Sequence, residues 1–324
     1  MPTPQPSRLR TRSMAAAIGL SLLMSAPAFA QSTAPTVNPL ATQSGHDINV
    51  SVQHYDYREP KDLAISIHGP KADAEYTGTF FIGEERHWFG RFNARGTVGN
   101  TAYDGWCRPW QLVPSTTSAN GYRLTLGTAS ACSETGDPDW YAEGRVVIGR
   151  DLIGRSMSLS PFVGVGLRHL SNGTTGNYDF RTEEYLYLPV GATLRTMAAD
   201  HVLGLTVEYD HLLRGWQTTR NSLLGGGTVP ATSTTPAFTI GDFTDFSFDQ
   251  RQGWALRASA TYAVGRWSIE PYIVKWQVED SNTVAGSVAY GVGGVVARQT
   301  LNAYEPFNTT MEYGVKFGVH FGGR

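Results

Sequence analysis

Residues 312–321 read Glu-Tyr-Gly-Val-Lys-Phe-Gly-Val-His-Phe. Tyr313, Val315, Phe317, Val319 and Phe321 share one parity, and Glu312, Gly314, Lys316 and His320 share the other. Successive side chains of a strand point to opposite faces, so the stretch reads as a β-strand with one apolar and one polar side.

The same period of two recurs upstream. Ile48, Val50 and Val52 alternate with Asp47, Asn49, Ser51 and Gln53, and Ala74, Tyr76, Phe80 and Ile82 with Asp73, Glu75, Thr77 and Thr79. Trp88, Phe92, Ala94 and Val98 oppose Arg91, Asn93 and Arg95, and Trp140, Ala142, Val146 and Ile148 oppose Asp139, Glu143 and Arg145. Further rows run through 159–167, 186–194, 203–210 and 254–262. The segment 267–279 is a strand of open phase, because Trp267/Ile269/Ile273 and Tyr272/Val274/Trp276 are both apolar sets. These segments make ten strands.

Connection lengths alternate along the chain. Short turns fall near 83–86, 151–157, 196–200 and 264–266, and longer connections near 57–71, 102–138, 170–182, 214–249 and 280–308. Outer-membrane barrels segregate their loops in this way, with short periplasmic turns and long extracellular loops. The apolar rows are rich in Gly, Ala and Val with Trp and Tyr near their ends, as suits a lipid-facing band between aromatic girdles. The expected fold is all-β, a transmembrane up-and-down antiparallel barrel of about ten strands. The long loops, rich in Gly, Ser and Thr as in 222–235, are expected in solvent.

Residues 313–321 also resemble the C-terminal β-signal of outer-membrane proteins, although Gly322-Gly323-Arg324 follow the aromatic. That resemblance implies recognition of the last strand by the barrel-assembly machinery.

Composition excludes other classes. The chain has 324 residues, 41% apolar and 17% charged, with 8 Trp, 15 Tyr and 14 Phe, too aromatic for a disordered chain. Past residue 30 no apolar stretch approaches the roughly 20 residues of a spanning helix. A net charge of −2 without a basic stripe argues against nucleic acid. Arg8, Arg10 and Arg12, the apolar run from Met14 to Met24 and Ala28-Phe29-Ala30 form a Sec-type signal peptide over 1–30. Residues 31–44 read as a flexible N-terminal arm and 45–324 as the barrel domain, exported to the outer membrane of a Gram-negative cell. Outer-membrane lipid and lipopolysaccharide are the expected surroundings. No cofactor or metal is expected.

Two cysteines in an exported chain suggest one disulfide, Cys107–Cys132, closing a loop of 25 residues. Pro161, Pro189 and Pro271 fall inside strands, and Pro189, in mid-strand, is expected to mark a bulge.

The polar parity sends Asp47, Asp73, Glu75, Arg91, Arg95, Glu143, Arg145, Arg168, Arg195, Glu208, Asp210, Arg257, Glu312 and Lys316 into the lumen. Seven acids meet seven bases in a narrow barrel, so a salt-bridged plug is expected ahead of a narrow channel. A general diffusion porin is not.

Three functions compete. The first is a structural or interaction barrel whose loops are the working surface, without catalysis. The second is a protease resembling the omptins, to which Glu208-Tyr209-Asp210-His211 offers suitable residue types. Asp210 and His211 are strand neighbours, however, and point to opposite faces. The third rests on Arg168-His169-Leu170-Ser171-Asn172, which resembles the His-x-Ser-Asn motif of the lipid A deacylases. That resemblance implies an acyl-ester hydrolase using His169, Ser171 and, across the next hairpin, Glu183, with the carboxylate orienting the imidazole. His169 and Ser171 continue the lipid-facing row of Leu167. More broadly, Tyr76-Thr-Gly-Thr, Ser160-Pro-Phe-Val-Gly-Val-Gly, Tyr185-Leu-Tyr-Leu-Pro-Val-Gly and Glu208-Tyr-Asp-His-Leu-Leu-Arg-Gly resemble a proteobacterial family of outer-membrane β-barrel proteins without assigned activity. This resemblance implies the fold and supplies no reaction.

Overall fold

Aromatic and β-branched residues at alternate positions favour extended, half-covered backbone, and ten such segments pair into a closed antiparallel ring. The computed structural model describes residues 38–60, 64–83, 87–174 and 177–322. The signal peptide expected over 1–30, and residues 31–37 of the arm, lie outside the described residues. The barrel strands are β1 (Gly45–Glu59), β2 (Ile65–Ile82), β3 (Trp88–Cys107), β4 (Ser130–Arg150) and β5 (Met157–Thr174). They continue as β6 (Asn177–Ala198), β7 (His201–Thr219), β8 (Gly253–Val264), β9 (Trp267–Val278) and β10 (Asn308–Phe321). Each strand pairs with its neighbour in this order, and β10 returns to β1 with Val50 opposite Phe317. Closure leaves no strand edge for lipid to meet.

The apolar rows face outward. Val52, Val98 and Phe317 are more than half exposed on the outer wall. Trp88 and Trp267 open their strands at the periplasmic end, with Arg150 and Arg266 over their rings at 5.5 and 5.3 Å. Burying this band in lipid is what makes the fold stable, since each outward apolar side chain is worth about 1.5–3 kcal/mol when taken from water. The chain is thus an outer-membrane type of barrel, read from its own surface. The outward row turns polar above Val52, where Asp56 and Arg58 pair at 2.6 Å, and that change marks the water boundary.

Phase is settled for β9. Trp267, Ile269 and Ile273 face outward, whereas Tyr272, Val274, Trp276 and Val278 are buried inside. The interior therefore has an apolar cluster as well as charges.

Three expectations need correction. The connections at 57–71 and 170–182 are mostly strand, because β1 and β2, and likewise β5 and β6, run on past the apolar band. Pro189 keeps regular register with Asp210; its missing N–H shows instead as a gap in the β5–β6 ladder between Val163/Val190 and Gly166/Tyr187. The bulge lies on the facing strand, between Leu212 and Arg214. One extra residue there flips the later parity, so that Asp210 and Leu212 point inward below it and Gln217 above it. Finally, the end of the expected arm is seated at the periplasmic end of the barrel. Leu40 and Thr42 are buried, Thr42 donates its N–H and hydroxyl to Asp151 at 2.8 and 2.7 Å, and Ser158 donates to the Leu40 carbonyl at 2.5 Å. Asp151 supplies the acceptors that composition alone did not reveal.

Cys107 and Cys132 are bonded, with Cα atoms 5.7 Å apart, where β3 and β4 leave the barrel. Because Cys107 already pairs with Ser130, and Gly105 with Cys132, the bond reinforces strands that the ladder holds together. Reduction is expected to loosen the segment between the two cysteines and leave the barrel closed. The check is faster proteolysis within 108–129 with unchanged heat-modifiable mobility on a gel.

Candidate functional site

Two regions carry the chemistry: the lumen, and the structure built above it. The polar parity places alternating charges in register across neighbouring strands. Glu75 stands opposite Arg95, Arg95 opposite Glu143, and Glu143 opposite Arg168. Cross-strand pairs of opposite charge are mutually supportive. Long-range contacts then tie this row across the barrel. Arg168 donates to Glu312 at 2.7 Å, and Arg95 approaches the same carboxylate at 3.6 Å while donating to Asp73 at 2.5 Å. Tyr141 adds a hydroxyl to Glu312 at 2.7 Å. On the other side Arg257 bridges Glu143 at 2.5 Å and Asp210 at 2.6 Å, and Arg145 holds Glu208 at 2.6 Å. Lys316 reaches Glu75 at 2.9 Å and Glu270 at 3.5 Å.

Aromatic rings fill the space between the ion pairs. Trp276, 1% exposed, packs on Tyr185 and Tyr187 with ring centroids 5.4 and 5.2 Å away. The guanidinium groups of Arg168 and Arg257 lie 5.9 and 5.8 Å from its ring. Low dielectric around the tryptophan strengthens each of these contacts. Sequence reasoning missed several members of this network. Lys71 pairs with Asp139, which Asn172 also contacts, and the Lys71 ammonium sits 3.3 Å over the Tyr55 ring. Arg181 gathers Glu59 at 3.1 Å, Glu183 at 2.9 Å and Tyr57 at 2.6 Å, and also bonds Glu305. Lys71, Tyr55, Tyr57, Glu59 and Arg181 continue the inward parity on strands that extend further than the apolar rows, and Glu305 reaches in from the connection before β10.

The strands also decide the fate of the two catalytic alternatives. Asp210 is fully buried in the lumen and His211 points outward, so the two do not meet. Glu183 faces the lumen, where it accepts from Tyr185 at 2.6 Å and from Arg181; it is not the partner of His169. The register puts His169 opposite Glu184 and Leu170 opposite Glu183. On the outer wall His169 Nδ1 lies 3.2 Å from a Glu184 oxygen, and the ring sits 5.1 Å from Trp140. Ser171 shares that face and is buried against its neighbours.

Above the barrel, the three longest connections fold together. Strands Gly227–Val229, Phe238–Gly241, Val284–Val292 and Val295–Ala303 make a four-stranded sheet drawn from two loops. The hairpin Trp110–Pro114/Tyr122–Leu126 from a third loop packs on it. Their shared core is Leu112, Leu124, Phe238, Ile240, Val288 and Tyr290. Gln299 exchanges bonds with the Leu124 backbone at 3.0 and 2.9 Å, and the Tyr290 hydroxyl donates to the Tyr122 carbonyl at 2.7 Å. These loops, rich in Gly, Ser and Thr, were expected in solvent. Their sparse Leu, Phe, Ile and Val residues instead converge, and burying them joins the loops into one crown.

No protein-family model and no curated protein matches the chain. Among solved structures it is similar to the outer membrane protease OmpT from Escherichia coli, with 10% identity over 86% of this chain and 97% of that one, TM-score 0.46. It is similar as well to an outer membrane channel from Pseudomonas putida F1, with 8% identity over 88% and 100% of the two chains, TM-score 0.36. The attachment invasion locus protein of Yersinia pestis shares 9% identity over 85% and 99%, TM-score 0.22. Likenesses so distant carry nothing about activity, and the fold rests on the strand register itself.

Proposed function

We propose that this protein is a non-conducting outer-membrane anchor that presents its folded crown for binding at the cell surface, without catalysis of its own. The observation that carries this reading is the pairing of a filled lumen with loops that build a common core. A diffusion channel needs an open lumen, whereas ordered loops over a rigid barrel suit recognition. On this reading outer-membrane lipid and lipopolysaccharide surround the barrel, and β10 is the strand offered to the barrel-assembly machinery. Planar-bilayer recording of the mature protein tests the closed lumen. No steps of nanosiemens size are expected, and their appearance would reverse the reading.

A second reading is favoured by the His169–Glu184 pair on the outer wall, with Ser171 two residues along the same face. A histidine oriented by a carboxylate is the general base of acyl-transfer sites. On this reading the protein hydrolyses an acyl ester of lipid A, with Glu184 in the role that sequence spacing gave to Glu183. Mass spectrometry of lipid A from cells with and without the protein tests it. A missing acyl chain, restored by Ser171→Ala, would make the protein an enzyme; unchanged lipid A removes this alternative.

A further inference from the structure

The outer wall carries a recess in its lipid-facing band. Gly78 stands on the outward parity of β2 and has no side chain to cover the pleat. Register places His46 and Phe92 on either side of it across the strands, and Tyr76 and Phe80 precede and follow it on the same face of β2. His46 Nδ1 and the Tyr76 hydroxyl are hydrogen-bonded at 2.6 Å with their rings stacked, and Phe92 stands 6.4 Å from the tyrosine ring. The Phe80 ring lies over Gly90, where any Cβ would collide with it, and so leans onto β3 rather than along β2.

β1 begins at Gly45, opposite Thr79, while β2 runs on to Ile82, so the wall steps here and the recess follows the step to Gly83. The result is a groove of about 910 Å³, within the roughly 300–1,000 Å³ of ligand sites. It opens on the apolar band beside the periplasmic turn, with Tyr76, Phe80 and Phe92 exposed along it. Its surroundings are lipid, and in lipid the hydrophobic effect selects nothing, because acyl chains are as apolar as the rings. Close contact and headgroup charge make the choice instead. The charge stands one strand beyond Trp88. Arg150 is exposed and lies 5.5 Å over the Trp88 ring, and Trp88 is opposite Ile82 at the periplasmic end of the groove. A guanidinium fixed at the interface is a partner for phosphate oxygens.

We propose that this groove seats one glycerophospholipid of the periplasmic leaflet, with an acyl chain between the rings around Gly78 and the phosphate at Arg150. Lipopolysaccharide belongs to the opposite leaflet and does not reach this girdle. The hydrogen bond between His46 and Tyr76 fixes the wall nearer the bilayer centre. The seat is independent of what the crown binds.

The test uses the full mature chain in detergent, with phosphatidylglycerol as the probe and native mass spectrometry as the readout. One phospholipid per chain is expected to bind saturably, at concentrations about tenfold below those that add a second. Gly78→Leu, which fills the groove, is expected to weaken the first site by about tenfold or more. Arg150→Gln, at an exposed position, is expected to weaken it by about threefold, and carries the test alone if the first variant fails to fold. Val207→Leu, elsewhere on the outer wall, is expected to bind like the parent. Lipids adding in an even series without a distinguished first one, or a first site equally strong in both groove variants, would overturn the seat. So would lipid A binding there more tightly than phosphatidylglycerol, or a dimer of the chain that Gly78→Leu abolishes.

Discussion

Glu312→Ala is expected to lower the unfolding free energy by about 3–5 kcal/mol, measured by urea titration in micelles or lipid vesicles. The carboxylate is fully buried and accepts from Arg168 and Tyr141, with Arg95 at 3.6 Å. Its removal strands the Arg168 guanidinium, which lies 4.2 Å from the Tyr141 ring and has no other carboxylate at bonding distance among the described residues. Arg95 suffers less because Asp73 remains. The double variant Glu312→Met with Arg168→Met separates the two contributions. Removing both charges with bulky apolar replacements is expected to recover most of the loss, since the desolvation cost vanishes with the pair. A Glu312→Ala effect below about 1 kcal/mol would mean that water reaches this part of the lumen.

Trp276→Ala is expected to cost about 3–5 kcal/mol and to open the lumen at once. The indole is the largest fully buried side chain among the described residues and belongs to the cluster with Tyr185, Tyr187 and Leu212. Closed strands hold the barrel wall in place, so the gap cannot collapse as it might in a helical core. The space would join the polar groups around Arg168 and Arg257 into a wet path. Single-channel recording is expected to show small, frequent openings in Trp276→Ala and none in the parent. A silent variant would place the seal elsewhere, with Arg181 and its three carboxylates as the next constriction.

Most of the barrel was legible in the sequence because one physical signal, alternation of lipid-facing and lumen-facing residues, is repeated along every strand. The ten strands and the inward charges follow from it. The signal fades where strands leave the bilayer, since both faces then meet polar surroundings, and there Lys71 and Arg181 were not seen as lumen residues. The His169 partner failed for a sharper reason. Spacing along the chain pointed to Glu183, yet in a strand one residue is the difference between outside and inside. Only the register of β5 against β6 selects Glu184. The crown was illegible for a different cause: its core draws a few residues from each of three loops far apart in sequence, and no local period marks them.

The overhang of the strands has a consequence for what can touch this protein. β6 spans 22 residues, roughly 70 Å of extended chain, or about 50 Å of height at a tilt near 45°. The apolar belt needs only about 25 Å of that. The remainder stands in water on the side of the crown, a pedestal as tall as the membrane-embedded part. A phage tail fibre or an antibody meeting the crown would therefore make contact well clear of the lipid headgroups.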